Sequence, residues 1–316
     1  MTKLKAQDDV TKPEQVAPPP PWLRVHPDIR SALEAGRPVV ALETTVTTHG
    51  LPRPINLEMA LRMEAEVRSA GAQPATVAVL KGTPVVGVTR DELEQLALAQ
   101  DAVKVSRRDL GLVAAKQLTG GTTVAATMLL AHAAGVRVFA TGGIGGVHRG
   151  CTGDVSADLT ELSRTPVAVI CAGAKAILDL PRTLEWLETA GVPVIGWQTD
   201  EFPAFFSHHS GLPVSARADS SSEVAELLKA HWQMGLAGAI ICVPISEDVS
   251  VPAPIVENAL EQAEIEADQM QIAGKDLTPF LLSRLAELTG GATLQANLAL
   301  LRQNATIAGQ IAKALA

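Results

Sequence analysis

Short runs of β-branched and small apolar residues alternate along the chain with segments whose apolar residues have helical spacing. The runs predict strands at 38–43, 75–80, 84–88, 136–140, 167–171, 192–197 and 237–243. The helical spacing predicts helices at 26–35, 56–70, 90–99, 158–163 and 184–190, and over most of 254–316 with breaks at 274–280 and 289–297. Such alternation is typical of a sheet covered by helices, so the pattern predicts a single α/β/α layered domain. Its central sheet is expected to be mixed and mostly parallel, with a helical C-terminal layer.

The N-terminal segment has a different composition from the rest of the chain. It mixes Lys, Gln, Asp and Glu and contains four consecutive prolines at 18–21. A segment of this kind buries too little apolar surface to offset the entropy lost on ordering. The sequence therefore predicts a disordered Pro-rich tail over residues 1–24 and one folded domain over residues 25–316.

Composition and charge narrow the class of partner. The chain has 316 residues, 47% of them hydrophobic, and a net charge of −8. This charge argues against nucleic-acid binding by phosphate neutralisation, so we expect a small-molecule substrate and no nucleic-acid partner. Three cysteines without CxxC or CxxH spacing argue against a disulfide framework and against a zinc site. No apolar run approaches the roughly 20 residues that span a bilayer, so the expected location is cytoplasmic and away from membranes.

Candidate chemistry concentrates in residues 136–175. In open α/β sheets, ligands bind at the carboxyl ends of the strands. A glycine-rich turn at 141–150 follows one predicted strand, and the sequence CAGAK follows the next and ends at Lys175. The pattern therefore predicts that His148, Arg149, Asp154 and Lys175 share one crevice with Asp158.

Each of these residues has an ordinary alternative. Lys175 is either a sheltered amine that forms a Schiff base or a strand-end lysine that extends into solvent. Asp154 and Asp158 lie four residues apart and are either ligands of a hard divalent cation or helix caps. His148 either orients and protonates a substrate or is a loop histidine. Glu43, at the end of the strand 38–43, is either a general acid or a carboxylate bonded to loop amides.

A second stretch, residues 104–127, combines a basic cluster with a Gly-Gly-Thr-Thr turn. The cluster contains Lys104, Arg107 and Arg108, and the turn ends at Thr122 and Thr123, immediately before a helix that starts at Val124. Backbone amides at a helix N-terminus bind anions, so the turn predicts a phosphate seat. A solvated basic face is the alternative. Neither the P-loop nor the GxGxxG fingerprint occurs in the chain.

Eight separated blocks then suggest a family. They are ALETTVTTHG, KVSRRDL, GGTTVAAT, FATGGIGGVHRG, DVSADL, CAGAK, GKDLTPF and ELTGGATLQAN. Together, over residues 25–314, they resemble the pseudouridine-5′-phosphate glycosidase family, also called indigoidine synthase A-like. The resemblance implies an α/β/α fold and a homotrimer that uses a divalent metal, usually Mn²⁺. It also implies reversible cleavage of pseudouridine 5′-phosphate with water, giving uracil and ribose 5-phosphate.

The resemblance also assigns roles to residues. It implies that Lys175 is the covalent nucleophile, Glu43 the proton donor and Asp154 the metal ligand. The residues that it places at the substrate are Lys104, Val124, Thr141, His148, Ser156, Ala157, Asp158 and Asn297. A Schiff-base aldolase or lyase on another sugar phosphate is one alternative, and a non-catalytic sugar-phosphate-binding protein is another.

The chemistry of a C-nucleoside explains why a lysine is needed. Its anomeric carbon carries no nitrogen or oxygen leaving group, so the usual pair of glycosidase carboxylates has little to protonate. We therefore expect the ribose ring to open and Lys175 to add at C1′, with Glu43 protonating C5 of uracil. Asp158 or His148 would handle the O4′ proton. The Thr122–Thr123 turn and Asn297 would hold the phosphate away from the reacting bond.

Overall fold

A computed structural model of the protein describes residues 18–150 and 153–316. The strands are β1 (Arg24–Val25), β2 (Val39–Leu42), β3 (Gln73–Leu80), β4 (Thr83–Val86), β5 (Val103–Val105), β6 (Gly120–Thr122), β7 (Val138–Ala140), β8 (Val147–His148), β9 (Ala168–Cys171), β10 (Leu178–Asp179), β11 (Val194–Trp197), β12 (Ala216–Ala218) and β13 (Ala239–Cys242). The helices are α1 (Pro27–Glu34), α2 (Ile55–Ser69), α3 (Arg90–Leu98), α4 (Leu110–Ala115), α5 (Val124–Ala133), α6 (Ala157–Leu162), α7 (Leu180–Thr189), α8 (Ser221–Gln233), α9 (Ala253–Gln269), α10 (Leu277–Leu288) and α11 (Ala292–Leu315). A π-helical turn at Val46–Gly50 and 3₁₀ turns at Arg107–Asp109, Glu247–Val249 and Gly274–Asp276 complete the secondary structure of these residues.

The central sheet is mostly parallel. Strands β3, β2, β7, β9, β13, β11 and β12 lie side by side in that order, and each is parallel to its neighbour. Strands β4 and β6 run antiparallel to β3 at one end of the sheet. Every residue of β2, β7, β9 and β13 is buried, so helices or loops cover both faces of the sheet. The predicted α/β fold with a mixed, mostly parallel sheet is confirmed.

Helix α11 is the main element of the C-terminal layer. It packs across β2, β7 and β9 and is flanked by α2 and α8. Its buried face includes Leu300, Leu301, Ala305 and Ala308. Gly309 allows close approach to α2, because a Cβ at this position would lie 2.5 Å from the Cβ of Ala70. This packing brings the start of α11 close to the carboxyl edge of the sheet.

The Gly-Gly-Thr segment at 120–122 differs from its prediction. It is strand β6, which pairs with β3 and β5, and not a turn. A side chain at Gly120 would clash with the carbonyl of Val103, and one at Gly121 would clash with Thr48. The glycines therefore permit close strand packing, which a propensity-based interpretation of Gly-Gly as a turn does not anticipate.

Of the predicted tail over residues 1–24, residues 1–17 lie outside the described residues. After that point, Leu23 is buried and Arg24 begins β1, which pairs with β4. The described fold therefore includes residues before position 25. No helix within 18–150 and 153–316 combines the length and the apolar character needed to cross a membrane.

Candidate active site

Three neighbouring strands deliver polar residues to one edge of the sheet. Strands β2, β7 and β9 are parallel and adjacent, so their carboxyl ends meet at the same edge. Glu43 directly follows β2, Thr141 directly follows β7, and Lys175 lies four residues beyond the last residue of β9. The topology therefore brings together two residues that are 132 positions apart in the sequence, Glu43 and Lys175.

The turns after β7 and β9 are hydrogen bonded to each other. The amide of Ala172 donates to the carbonyl of Gly142 at 2.8 Å, and the amide of Ile144 donates to that of Gly173 at 3.0 Å. The amide of Lys175 then donates to the carbonyl of Ile144 at 3.1 Å. These bonds continue the strand pairing beyond the sheet and fix the backbone from which the Lys175 side chain extends.

Glycines in these turns make room for a phenylalanine-rich loop. A Cβ at Gly143 would lie 2.5 Å from Cε2 of Phe205, and Gly173 has a positive φ of 81°. A Cβ at Gly173 would lie 2.7 Å from the carbonyl oxygen of Pro203. The glycines of the predicted site thus serve close packing and a left-handed backbone, which are the two properties that only glycine supplies without strain.

Glu43 is the buried acid of this edge. Its side chain accepts a hydrogen bond from the hydroxyl of Thr141, and the residue is 8% exposed. Burial raises the pKa of the Glu43 carboxyl above its ordinary value, and the nearby charge of Lys175 and the Thr141 hydrogen bond only partly oppose the rise. Burial thus favours the protonated form, as a proton donor requires.

An asparagine outside the predicted site residues holds the backbone of Thr141, the residue whose hydroxyl donates to Glu43. The side-chain amide of Asn304 donates to the carbonyls of Thr141 at 2.8 Å and Gly142 at 3.3 Å. Asn304 is fully buried on α11 and lies seven residues after Asn297, on the same face of the helix. The signal that could have identified it is the spacing of two asparagines, two turns apart, within an apolar helix face.

Two lysines lie close to Glu43. Lys175 is half-buried, and its ammonium has no hydrogen-bond or ion-pair partner among the described residues. Lys104, in β5, is also half-buried, and burial, followed by the charge of Lys175, lowers its pKa. Asp158 and Glu43 act on the pKa of Lys104 in the opposite direction. The site therefore contains two amines that are close enough to repel each other, and both interact with the charge of Glu43.

His148 and Asp154 lie beside these lysines. The amide of His148 donates to the carbonyl of Asp154 at 3.0 Å, and β8, which contains His148, pairs on its other side with β10. Burial lowers the pKa of the His148 imidazole, Asp154 opposes this, and Lys104 and Lys175 lower it further. The imidazole is therefore biased towards its neutral form, which offers one nitrogen as a proton acceptor or metal ligand.

Asp158 is fully engaged in backbone hydrogen bonds. One carboxylate oxygen accepts from the amide of Ala125 at 2.9 Å, and the other accepts from the amide of Gly145 at 2.8 Å. Ser156 caps α6 by accepting from the amide of Asp158 at 3.2 Å. Asp158 thus connects the N-terminus of α5, its own helix α6 and the glycine-rich turn. This geometry is that of a structural clamp that also contributes negative charge to the site.

The predicted phosphate seat at the start of α5 is occupied by protein groups. The Thr122 hydroxyl donates to the carbonyl of Val77 at 2.8 Å and accepts from Thr127 at 2.9 Å. Thr123 caps α5 through the amide of Ala126, and Asp158 takes the amide of Ala125. The structure therefore does not bring the Thr122 hydroxyl to an open anion site.

Arg107, from the basic cluster, is also paired. Its Nη1 donates to both carboxylate oxygens of the buried Glu161, at 2.8 and 2.7 Å. This ion pair connects the segment after β5 to α6. Of the basic cluster, Lys104 is therefore the residue whose charge interacts with Glu43 and Lys175.

The remaining predicted residues surround this edge. Asn297 is 9% exposed, and a Cβ at Gly142 would lie 3.5 Å from its Oδ1. Among the described residues the Asn297 amide has no hydrogen-bond partner. Val124 is the buried first residue of α5, and Ala157 is the exposed first residue of α6. The structure thus separates side chains that are free to bind a ligand from side chains that hold the scaffold.

Comparison with known proteins gives consistent matches over nearly the whole chain. The sequence profile of the family described as indigoidine synthase A like protein matches residues 28–314. A pseudouridine-5′-phosphate glycosidase from Roseiflexus sp. is 56% identical over 299 residues, which cover 93% of this chain and 96% of that protein. A protein of the same name from Methylobacterium nodulans is 54% identical over 300 residues, covering 94% and 89% of the two chains.

Solved structures agree with the sequence matches. The prealnumycin C-glycosynthase AlnA, crystallised in complex with ribulose 5-phosphate, superposes with a TM-score of 0.87 at 41% identity, covering 94% of this chain and 98% of that one. An indigoidine synthase A-like protein from Thermotoga maritima superposes with a TM-score of 0.84 at 40% identity, covering 92% and 95%. The predicted resemblance is confirmed, and the chain belongs to the indigoidine synthase A-like family of enzymes.

Proposed function

We propose that this enzyme is a C-glycosidase that reversibly cleaves pseudouridine 5′-phosphate with water to uracil and ribose 5-phosphate. The observation that carries the proposal is the proximity, at one sheet edge, of the buried acid Glu43 and the amine of Lys175, which has no hydrogen-bond partner among the described residues. Relatives that are more than half identical over nine-tenths of the chain carry the name of this activity. The ribulose 5-phosphate bound to a structural relative supports a sugar phosphate as the ligand.

The first chemical step uses Lys175. The ribose ring opens, and the uncharged amine of Lys175 bonds to C1′ of the sugar. Lys104 lies close enough that the charge of Lys175 lowers the pKa of the Lys104 amine, so the two side chains repel each other when both are charged. The half-buried setting leaves the amine accessible to a small substrate.

The second step uses Glu43. Its carboxyl donates a proton to C5 of uracil while the C1′–C5 bond breaks, and the bonding electrons stay on the uracil. The sugar is left as an iminium on Lys175, which water hydrolyses to release ribose 5-phosphate and regenerate the amine. The raised pKa of Glu43 favours retention of this proton until the substrate takes it. Thr141, which donates to the carboxyl, fixes the orientation of the acid.

His148 is the better candidate for moving the O4′ proton. Its imidazole has no hydrogen-bond or ion-pair partner among the described side chains, whereas both oxygens of Asp158 accept backbone amides. We assign the phosphate to the charge of Lys104 and to Asn297, whose amide has no hydrogen-bond partner within residues 18–150 and 153–316. Phosphate binding away from the reacting bond would position C1′ near Lys175.

Asp154 fits a hard divalent cation that keeps several waters. Its half-buried carboxylate has no hydrogen bond or ion pair in the described part of the chain, and the neutral imidazole of His148 is its neighbour. Within the same residues Asp154 belongs to no group of three His, Cys, Asp or Glu ligands, so water and substrate oxygens would complete the shell. Bound there, Mn²⁺ would supply positive charge that orders water or the uracil carbonyls. We also propose that the protein is a cytoplasmic homotrimer. Analytical ultracentrifugation tests the trimeric state.

Borohydride trapping tests the covalent step. Incubation with ribose 5-phosphate and borohydride should reduce the iminium and add a ribityl phosphate to one lysine, identified by peptide mass spectrometry. We expect the label on Lys175 in the wild type and in Lys104→Met, which removes the neighbouring amine. Uracil release from pseudouridine 5′-phosphate, measured with Mn²⁺ and with a chelator, reports turnover.

Three results would contradict the proposal. Label on another lysine, or substantial uracil release by Lys175→Met, would exclude the assigned nucleophile. Labelling of Lys175 without any uracil release would instead identify a Schiff-base aldolase or lyase that acts on a different sugar phosphate.

A further inference from the structure

A cluster of two histidines and a glutamate lies outside the proposed active site. One ring nitrogen from each of His208 and His209 and a carboxylate oxygen of Glu247 lie within 4.8 Å of one another. His208 is half-buried, and the other two residues are exposed. The two segments come from different parts of the chain, the loop after β11 and the 3₁₀ turn Glu247–Val249 after β13. Zinc binds such donors at about 2.0–2.2 Å, so the three side chains would draw closer together around the ion.

Nδ1 of each histidine is already in contact with another protein group. Nδ1 of His208 lies 2.6 Å from the carbonyl oxygen of Ile245, so Nδ1 carries the hydrogen and donates it. Nδ1 of His209 lies 3.4 Å from a carboxylate oxygen of Glu201. Both contacts restrict the ring orientation, and neither Nε2 has a hydrogen-bond partner among the residues that the structure describes. Metal-bound histidines commonly have this arrangement, in which a carbonyl or carboxylate accepts the second ring hydrogen.

The carboxylate that orients His209 is itself anchored. Glu201 accepts the amides of Ser210 at 3.2 Å and Gly211 at 3.0 Å. On the other side, the amide of His208 donates to the hydroxyl of Ser250 at 3.2 Å. The loop and the 3₁₀ turn are therefore connected before any cation binds, so little ordering is needed to form the site.

We propose that His208, His209 and Glu247 bind one transition-metal cation of the zinc class, at a site separate from Asp154. Two imidazoles and one carboxylate suit Zn²⁺, whereas a single carboxylate with water suits a hard cation such as Mn²⁺. The same loop carries Phe205, which packs against Gly143 in the turn after β7. A cation here would therefore clamp a loop that supports the catalytic edge. This inference does not depend on the proposed reaction.

Zinc titration of the full-length, chelator-stripped protein tests the site. We use Zn²⁺ in competition with a chromophoric chelator, and Asp154→Asn as the background so that binding at Asp154 does not contribute. One equivalent of Zn²⁺ should bind and raise the Tm. His209→Gln in this background should lose both effects, while His132→Gln, which removes an exposed histidine on α5, should keep them.

Two further variants sharpen the outcome. Glu201→Gln leaves all three ligands but weakens the acceptor for His209, so affinity should fall about 10–100-fold. His208→Gln should lose binding at least as strongly, because it removes a ligand. Wild-type zinc affinity in His209→Gln, or no zinc equivalent in the Asp154→Asn background, would overturn the proposal.

Discussion

Two carboxylates of the site, Glu43 and Asp158, have opposite environments although both are buried. Glu43 accepts one side-chain hydrogen bond and lies in surroundings that raise its pKa. Asp158 accepts two backbone amides, one on each oxygen, at the junction of α5, α6 and the glycine-rich turn. Hydrogen bonds of this kind fix the backbone that donates them.

The two environments give the two carboxyl groups different roles in the same pocket. Desolvation without enough hydrogen bonds leaves a carboxyl that retains its proton and can give it to a substrate. A carboxylate with every oxygen occupied holds the scaffold and supplies a fixed negative charge. Asn297 and Thr122 differ in the same way. The Asn297 amide has no partner in the part of the chain that the structure describes, whereas the Thr122 hydroxyl is hydrogen bonded to that of Thr127.

The largest effect is expected from Glu43→Gln. Loss of the acid should lower kcat for uracil release about a thousandfold, the usual size of a general-acid contribution. The fold should persist, because the Gln carbonyl still accepts from Thr141. Steady-state kinetics and circular dichroism check this, and a kcat within fivefold of wild type would remove Glu43 from the reaction.

The same variant should be more stable than the wild type at neutral pH. A carboxyl whose pKa is raised by folding contributes stability below its ordinary pKa, and that contribution is lost as pH rises through the raised pKa. Replacing it by a neutral amide should therefore add about 1 kcal/mol, a common gain when a strained active-site group is removed. Thermal unfolding between pH 4 and 8 should show the gap widening as pH rises.

Asp158→Asn should have the next largest effect and the opposite sign. The amide cannot accept on both sides, so one of the bonds to Ala125 or Gly145 is lost at a cost of about 2 kcal/mol. We expect a lower Tm together with an activity loss of about tenfold. Asp179→Asn is the matched control, because Asn caps a helix as well as Asp does. An unchanged Tm in Asp158→Asn would contradict the clamp.

The smallest effects distinguish a side chain that binds substrate from one that stabilises the scaffold. Asn297→Ala should raise KM about tenfold, or about 1.4 kcal/mol, with little change in Tm, because its amide has no partner among the described residues. Thr127→Val breaks the bond to Thr122 and should lower the Tm while leaving KM in place. If the two variants exchanged these effects, the distinction between free and engaged side chains would be wrong.

Hydrophobic periodicity was sufficient for most of the fold. The runs at 38–43, 136–140 and 167–171 correspond to β2, β7 and β9, because a fully buried parallel strand has to be apolar on both faces. The strands β5 and β6 were missed. Gly120 and Gly121 pair in a strand only because neighbouring segments leave no room for side chains, and that space is a property of the packing.

The sequence by itself determined the apolar strands, the family motifs and the candidate residues Glu43, Asp154 and Lys175. Tertiary structure alone decided which hydrogen bonds the site residues make, because the partners come from distant segments. Ala125 is the partner of Asp158, and Asn304 is the partner of the Thr141 carbonyl. Tertiary structure also decided that His208, His209 and Glu247 meet. Chain connectivity fixes residue types and local periodicity, whereas charge, desolvation and ligand geometry depend on which segments the fold brings together.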